Sequence, residues 1–196
     1  MFNDSVHNVP SGFAEIQQAS EAMGFSMPSD LQTGALLQTL VAAKPEARVL
    51  EIGTGTGLAT AWLLAGMDAD SSLISIDTAA YYQAVANQVL GSDARLTLVC
   101  DDAGTYLERY DAAPFDLIFA DAWPGKYSHL DAALGTLATG GLYVIDDMLP
   151  QPNWPDGHGD NVDRLVADLE SRSDLSLVRL AWSTGILIAV KKERSA

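Results

Sequence analysis

Short apolar runs alternate along the chain with longer stretches whose apolar positions recur at helical spacing. The runs are nearly continuous in Val, Ile and Leu, which is typical of strands in a parallel sheet covered by helices on both faces. Five such strands are predicted at residues 48–53, 72–77, 95–100, 115–121 and 141–146. Helices are predicted between them at residues 58–66, 79–90, 105–110 and 127–137.

Two further helices are predicted ahead of the first strand, at residues 12–23 and 29–43. Ser29 or Asp30 is placed to cap the second, because a side-chain oxygen there can accept hydrogen bonds from free backbone N–H groups. The chain length suits one domain with a sizeable core. We predict one domain over 1–196, divided into N-terminal helices (1–46), strand–helix units (47–147), a loop (148–160), and a helix with a terminal hairpin (161–196).

The last two strand-like runs, at residues 175–182 and 185–191, follow a predicted helix at 161–172. Only Ser183-Thr184 joins them, which is too short for a parallel crossover, so the two strands should form an antiparallel hairpin. Together the elements predict an α/β fold. We expect a Rossmann-like, doubly wound sheet of seven strands that is mostly parallel.

The charge balance limits the choice of partners. Eleven Lys and Arg residues stand against 26 Asp and Glu, a formal net charge of −15. A polyanion needs clustered cations, and the only basic cluster is the short tail Lys191-Lys192-Glu193-Arg194. We therefore expect neither nucleic acid nor an anionic membrane as partner. The acidity itself is best explained by solubility.

Residues 1–5 lack the basic and apolar segments of a secretory signal, and no apolar run approaches the roughly 20 residues of a membrane span. A cytoplasmic location is the expectation. Cys100 is the single cysteine, so no disulfide can form within the chain. It follows an apolar run, and we expect a buried thiol at a strand end.

Residues 49–57, Val-Leu-Glu-Ile-Gly-Thr-Gly-Thr-Gly, carry the first candidate chemistry. Glycines that follow a buried strand and open a helix let the backbone turn sharply and approach a ligand closely. The dinucleotide fingerprint has glycines at its first, third and sixth positions, whereas Gly53, Gly55 and Gly57 fall at the first, third and fifth. Pyrophosphate binding is therefore disfavoured, and no Gly-Lys-Ser/Thr motif indicates a nucleoside triphosphate.

The next predicted strand ends in Asp77, 20 residues beyond Gly57. A carboxylate at that edge can accept hydrogen bonds from both hydroxyls of a ribose. An exposed acid with no ligand is the alternative. The glycine loop precedes Asp77 at the spacing expected of a cofactor site, which favours the ribose role.

These residues resemble the class I S-adenosylmethionine-dependent methyltransferases, whose acid-x-Gly-x-Gly-x-Gly motif matches Glu51 to Gly57 and whose second-strand acid matches Asp77. From about residue 33 to 192, including the N-terminal helices, the chain is similar to the catechol-type O-methyltransferases and their small bacterial relatives. The resemblance implies S-adenosylmethionine as cofactor. It gives Glu51, Gly53, Thr54, Gly55, Gly57 and Asp77 contacts with that cofactor.

In the same family a Gly-Asp-Ala at the end of strand three holds the adenine. Asp101-Asp102-Ala103 occupies that place, so the resemblance implies adenine contacts for Asp102 and Ala103, with Asp101 where glycine is usual. The family also suggests a homodimer.

Asp121 ends the fourth predicted strand, and Asp146-Asp147 end the fifth. The carboxyl ends of neighbouring parallel strands meet at one edge, where these acids would repel each other unless a cation or proton intervenes. A hard divalent ion suits such oxygen ligands. The resemblance likewise implies magnesium on Asp121, Asp146 and Asp147, with Asp147 replacing the usual Asn, and it places Asp121 beside the cofactor. The alternative is that these acids cap a segment or pair with a Lys or His.

The catechol-type family carries a lysine base three residues after the strand-four acid, and here that position is Pro124. Lys126 follows at the fifth position. A Pro124-Gly125 turn could return Lys126 to the same place. Lys126 is therefore the first candidate for the base and His129 the second, and a solvated lysine is the alternative. Asp121 is the other candidate catalytic residue.

Residues 148–158 leave the acidic pair directly as a loop with three Pro and one Trp. Such a loop is often a lid, although Trp154 could equally anchor it to the core or to a second subunit. Met148, Trp154 and Trp123 would offer an apolar wall to a flat acceptor. His158, between two glycines, is expected to be exposed.

The sequence thus favours an O-methyltransferase that acts on a hydroxyl of a small, aromatic acceptor with the help of a divalent metal. A metal-bound hydroxyl would lose its proton more readily. One alternative is a metal-independent methyltransferase acting on N, S or carboxylate. A non-catalytic nucleotide-binding module is another.

Overall fold

The computed structural model describes residues 5–193. Residues 1–4, which the signal-peptide prediction rests on, and residues 194–196, which include Arg194 of the basic tail, lie outside the described residues. The helices are α1 (Phe13–Ala22), α2 (Leu31–Ala42), α3 (Leu58–Gly66), α4 (Ala80–Leu90), α5 (Ala103–Arg109), α6 (Leu130–Thr136) and α7 (His158–Ser171). The strands are β1 (Arg48–Ile52), β2 (Ser72–Asp77), β3 (Leu96–Cys100), β4 (Phe115–Ala120), β5 (Leu137–Ile145), β6 (Leu175–Leu180) and β7 (Ile186–Lys191).

The strands form one seven-stranded sheet in the order β3-β2-β1-β4-β5-β7-β6. The first five are parallel to their neighbours, whereas β7 runs antiparallel to both β5 and β6. The predicted α/β fold with its C-terminal antiparallel hairpin is therefore confirmed. The order reverses between β1 and β4, which is where ligands of doubly wound sheets bind.

Side chains that point alternately to the two faces of the central strands build two apolar layers. Val49 of β1 packs with Phe13, Leu37 and Trp62 on the face covered by α1 to α4. Leu50, the next residue, packs on the opposite face, which is covered by α5, α6 and α7. Because successive strand residues point to opposite faces, a continuous apolar run is what a sheet covered on both sides requires.

The N-terminal helices pack on the same face as α3. The Asp30 carboxylate caps α2 by accepting hydrogen bonds from the backbone N–H groups of Gln32 and Thr33, both at 2.9 Å, which selects Asp30 over Ser29 as the cap. A Cβ on Gly34 would lie 2.3 Å from the Trp62 ring. That close approach brings α2 onto α3, and it places the segment between α1 and α2 beside the glycine loop.

Several expectations from sequence were wrong. The link between β6 and β7 has five residues, 181–185, and not two, although the antiparallel hairpin forms as predicted. Helix α6 begins at Leu130 and not at residue 127, because residues 123–128 form a tight turn. Helix α7 begins at His158, three residues earlier than predicted, and so shortens the loop. Cys100 is exposed, because β3 is an edge strand of the sheet. No helix within residues 5–193 has the length and apolar character needed to cross a bilayer.

Candidate active site

A cavity of about 650 Å³ opens at the carboxyl ends of β1, β2, β4 and β5. It is walled by the glycine loop, by Asp77, by the three acids after β4 and β5, and by the α1–α2 connection. Its size falls in the range of small-molecule sites. The topology thus brings to one cavity most of the residues that the sequence marked as functional.

Positive φ angles and close packing explain why this loop needs glycines. Gly53 and Gly55 have φ values of +104° and +51°, a region that side chains with a Cβ avoid. A Cβ on Gly53 would lie 2.7 Å from the Asp121 carbonyl oxygen, and one on Gly55 would lie 2.8 Å from the Phe25 ring. The loop therefore lies tightly between β4 and the α1–α2 connection, with its backbone facing the cavity.

Asp77 holds the shape of this loop. One carboxylate oxygen accepts a hydrogen bond from the Gly55 N–H at 2.8 Å, and the other accepts one from the Ala79 N–H, also at 2.8 Å. Asp77 also lines the cavity. Because each carboxylate oxygen can accept more than one hydrogen bond, the side chain can support the loop and bind ligand hydroxyls at the same time.

Glu51 and Thr54 lie beneath the loop. Glu51 is fully buried, and Oε2 accepts hydrogen bonds from the hydroxyls of Thr60 and Ser75. Its other oxygen, Oε1, has no partner. Burial raises the pKa of Glu51 to about 8, so the acid is largely neutral at pH 7. Thr54 bonds to Ser75 through its hydroxyl at 2.6 Å and also lines the cavity.

Asp102 and Ala103 begin α5. The Asp102 carboxylate accepts hydrogen bonds from the N–H and the hydroxyl of Thr105, at 2.7 and 2.9 Å, and these bonds lower its pKa. Asp101 pairs with Arg109 at 2.8 Å. Asp102 therefore has a capping role in the structure, and neither it nor Ala103 is among the residues that line the cavity. Their adenine contacts stay a prediction.

The turn after β4 brings Lys126 back to Asp121. The Tyr127 N–H donates to the Trp123 carbonyl at 2.9 Å, and the Gly125 N–H donates to the Ser128 carbonyl at 2.7 Å. The Gly125 carbonyl in turn accepts a hydrogen bond from the buried Tyr143 hydroxyl at 2.6 Å. The turn is thus fixed to the core.

The result is a buried ammonium group. Lys126 is only 5% exposed, its Nζ donates to the Asp146 backbone carbonyl at 2.9 Å, and its Nζ lies 3.4 Å from Asp121 Oδ1. Lys126 is not among the residues that line the cavity, whereas Asp121 is. His129, the second candidate base, instead pairs with Glu108 at 3.4 Å.

The three acids converge as expected. Asp121, Asp146 and Asp147 all line the cavity. Burial, followed by the nearby carboxylates, raises the pKa of Asp146 to about 7; burial also raises that of Asp121 to about 6, against the opposing effect of Lys126. Asp147 has a φ of +59°, a conformation that Asn and Asp tolerate best among residues with side chains. An Asp at this position therefore suits the backbone as an Asn would.

The donor set does not fit the predicted magnesium. Asp146 Oδ1 accepts hydrogen bonds from the Asp147 N–H at 2.8 Å and from the Thr184 hydroxyl. Asp121 is bound by Lys126 and by the Ser29 hydroxyl. Across residues 5–193, no group of three Asp, Glu, His or Cys side chains is arranged to hold a metal ion. The positive charge beside the acids is Lys126.

An aromatic cluster, made of Trp123, Tyr127, Trp154 and His158, lies beside the turn. His158 is not the exposed residue that the sequence suggested: it packs on Trp154 at 4.5 Å between ring centroids, and its Nε2 lies 3.1 Å from the Tyr127 hydroxyl. Burial and the nearby carboxylates raise the pKa of Tyr127 to about 12. Trp123 remains 52% exposed.

Sequence reasoning missed several cavity residues, which are Ser29, Phe25, Tyr82 and Thr184. Phe25 and Tyr82 pack with their rings tilted and ring centroids 4.8 Å apart, and Phe25 lies against Gly55. Thr184 was assigned only to the hairpin turn, although its hydroxyl reaches Asp146. None of these carries a motif, because each reaches the site through packing of distant segments.

The fold, the glycine cradle and the strand-end acids define a class of protein, the Rossmann-like methyltransferases. The family of methyltransferase domains matches residues 50–148, just over half of the chain. The chain belongs to this family.

A curated relative shows a more specific similarity than the family does. Over 117 residues the chain is 33% identical to a protein of Mycolicibacterium vanbaalenii named "Putative O-methyltransferase", a match that covers 57% of this chain and 52% of that protein. The chain thus spans about half the length of the curated relatives it matches.

Two solved structures share the fold across almost the whole chain. The O-methyltransferase TomG of Streptomyces achromogenes, solved with S-adenosylmethionine (SAM), superimposes with a TM-score of 0.79 at 24% identity and covers 96% of this chain and 92% of its own. The O-methyltransferase of Bacillus cereus, solved with S-adenosylhomocysteine (SAH), superimposes with a TM-score of 0.82 at 21% identity. The match covers 96% of this chain and 94% of that one.

Proposed function

We propose that this protein is a SAM-dependent O-methyltransferase acting on a hydroxyl of a small, aromatic molecule. The observation that carries the proposal is that the glycine cradle and Asp77 open into the same cavity as Asp121. The proposed cofactor site and a carboxylate able to accept a proton therefore line one cavity. The names of the M. vanbaalenii relative and of the two solved structures support the same activity.

We expect SAM to lie along the glycine loop. Gly53, Thr54 and Gly55 line the cavity, and a Cβ on Gly53 or Gly55 would collide with Asp121 or Phe25, so this close packing needs glycine. Gly57 is not among the lining residues, and its contact with SAM stays a prediction. Asp77 is proposed to accept the ribose hydroxyls, and Asp102 with Ala103 to hold the adenine. Glu51 keeps the loop in place from below through Thr60 and Ser75. When bound, SAM supplies the methyl group, and the C–S bond breaks with its electron pair retained on sulfur.

The acceptor is proposed to enter beside the strand-four acid. The apolar wall expected of Trp123, Trp154 and Met148 is not part of the cavity lining, whereas Phe25 and Tyr82 do line the cavity and are suited to packing against a flat ring. Proximity of the acceptor oxygen and the methyl carbon accounts for much of the acceleration in such transfers.

Asp121 and Lys126 are the proposed catalytic pair. The sequence favours Lys126 as the base, yet its ammonium donates to the Asp146 carbonyl below the cavity. We therefore propose that the Asp121 carboxylate, which lines the cavity, accepts the hydroxyl proton and passes it to water. Lys126 acts through Asp121. The predicted magnesium has no part in this proposal, because the donor set does not fit it.

Calorimetric titration with SAH, NAD and ATP tests the cofactor. We expect SAH to bind in the micromolar range, with NAD and ATP giving no comparable heat. A panel of phenols incubated with SAM then tests the reaction by mass spectrometry. Asp121→Ala should abolish transfer while SAH still binds. Tight NAD binding without any response to SAH would refute the proposal.

A further inference from the structure

We propose that the Lys126 ammonium is a built-in replacement for the divalent metal of the catechol-type family, so that methyl transfer by this chain needs no metal ion. The inference deepens the proposed function and rests on it. It concerns the charge that balances the acids at the ends of β4 and β5.

The first support is the position of the ammonium. Lys126 Nζ lies between Asp121 Oδ1, at 3.4 Å, and the Asp146 backbone carbonyl, at 2.9 Å. These two residues end the strands that the family uses for its metal. A nearly buried cation needs an opposite charge close by, and the acids need a positive one. Lys126 thus places one positive charge beside Asp121 without an outside ion.

The second support is the state of the acid oxygens. Asp146 Oδ1 already accepts hydrogen bonds from the Asp147 N–H and the Thr184 hydroxyl. Asp121 is bound by Lys126 and Ser29. A metal at these oxygens would compete with these bonds and with the ammonium. N–H and O–H groups of the chain therefore occupy acid oxygens that would otherwise be free to bind a metal.

The third support is that the lysine cannot easily move away. The turn that carries it is bonded to itself at both Gly125 and Tyr127, and the Tyr143 hydroxyl fixes it to the core. A Cβ on Gly125 would come within 2.9 Å of both the Tyr143 hydroxyl and Ile52 Cδ1. The two extra residues between Asp121 and the lysine thus build a rigid support.

The chemistry balances without a metal. The acceptor hydroxyl forms a bond to the methyl carbon, the C–S bond breaks with its electron pair retained on sulfur, and the hydroxyl proton leaves through Asp121 to water. Lys126 takes no part in the proton transfer, and its charge keeps Asp121 ionised and so ready to accept the proton. Lys126 is therefore a positioning residue that acts through Asp121, where a fixed charge is effective because the lysine is nearly buried.

Metal binding is tested directly with Mn²⁺ on the wild-type protein. We expect the electron paramagnetic resonance signal of free Mn²⁺ to be unchanged by the protein at millimolar Mn²⁺. Loss of that signal in wild type, restored by Asp121→Asn, would overturn the inference. This measurement needs no acceptor. It therefore stands even if the proposed function fails, which would show as SAH binding without transfer to any phenol.

Activity provides the second test. Transfer by the wild type should be the same with EDTA and with added Mg²⁺. Lys126→Met should lower kcat by about 10²- to 10³-fold, and Lys126→Arg, which keeps a fixed charge but cannot serve as a base, should recover part of it. The matched control is Lys44→Met, since Lys44 is partly buried and donates to the Gly140 carbonyl at the other end of the sheet.

Two results would contradict the inference. One is activity that EDTA removes and Mg²⁺ restores. The other is Lys126→Arg as inactive as Lys126→Met while both variants bind SAH as the wild type does, which would give Lys126 the role of a base.

Discussion

Glu51 is an ionisable residue placed where no water reaches. It lies one residue before the end of β1, is fully buried, and keeps one oxygen without a hydrogen-bond partner. A charged carboxylate there would lose its hydration, and the nearby Asp121 and Asp77 carboxylates would repel it. The neutral acid, by contrast, still accepts hydrogen bonds from Thr60 and Ser75. The buried acid is therefore best suited to supporting the loop, and its charge would weaken the fold.

This leads to a prediction on pH. The pKa of Glu51 is about 8 in the folded protein and 4.5 in the reference state. Above pH 4.5 the unfolded chain releases this proton while the folded chain keeps it, so the contribution of Glu51 to stability falls between pH 4.5 and about 8. Each pKa unit is worth about 1.4 kcal/mol. Glu51→Gln, which cannot ionise, should flatten this fall.

Urea unfolding at pH 5 and pH 8 measures the effect. The variant should resemble the wild type at pH 5 and exceed it in free energy of unfolding at pH 8. Thr60→Val serves as control, because it removes one hydrogen bond to Glu51 and keeps the titrating group. Equal loss of stability with pH in Glu51→Gln and wild type would contradict the assignment.

At the scale of elements, the turn between β4 and α6 decides the geometry of the acid cluster. In sequence, residues 123–128 depart from the catechol-type family in the spacing between the strand-four acid and the lysine. In the structure the extra residues make a closed turn, stabilised by bonds within it and by Tyr143. The lysine thereby returns to Asp121.

We predict that Gly125→Ala disturbs both stability and the lysine. Its φ of +85° disfavours a side chain, at a cost of about 1 to 2 kcal/mol, and the new Cβ would collide with Ile52 and Tyr143. Gly140→Ala is the matched control, because Gly140 has a similar φ of +77° but nothing within 4 Å of the new Cβ.

Chemical unfolding and kcat measure the difference between the two variants. Both should lose stability, Gly125→Ala more, and only Gly125→Ala should lose methyl transfer beyond what its folded fraction explains. Identical behaviour of both variants would show that the turn does not position Lys126.

At the scale of the whole molecule, the reversal of strand order between β1 and β4 creates the cavity. The loops after β1, β2, β4 and β5 meet there, and the α1–α2 connection closes one side through Phe25. A ligand in this space contacts segments that are far apart in the chain, so its binding should stabilise the folded state as a whole. The homodimer implied by the resemblance stays a prediction.

We therefore predict that SAH raises the free energy of unfolding by about 2.7 kcal/mol at a concentration 100 times its dissociation constant. Asp77→Ala should reduce this gain, since it removes both the proposed ribose contact and the bond that shapes Gly55. Thermal unfolding with and without SAH measures it. Asp116→Ala, at the opposite end of the sheet, is the control and should keep the full gain, although it loses a hydrogen bond to Arg48.

The sequence by itself determined the sheet, its terminal hairpin, the glycine loop and the strand-end acids. These depend on local patterns: apolar runs, a short link between the last two strands, and acids at strand ends that a doubly wound sheet brings to one edge. It did not determine what lies between those acids. Only the tertiary structure placed Lys126 beside Asp121, turned Asp146 toward Thr184, and brought His158 onto Tyr127. Such contacts join segments far apart in the chain, or depend on the path of a turn, and no local pattern encodes the distance between two side-chain atoms.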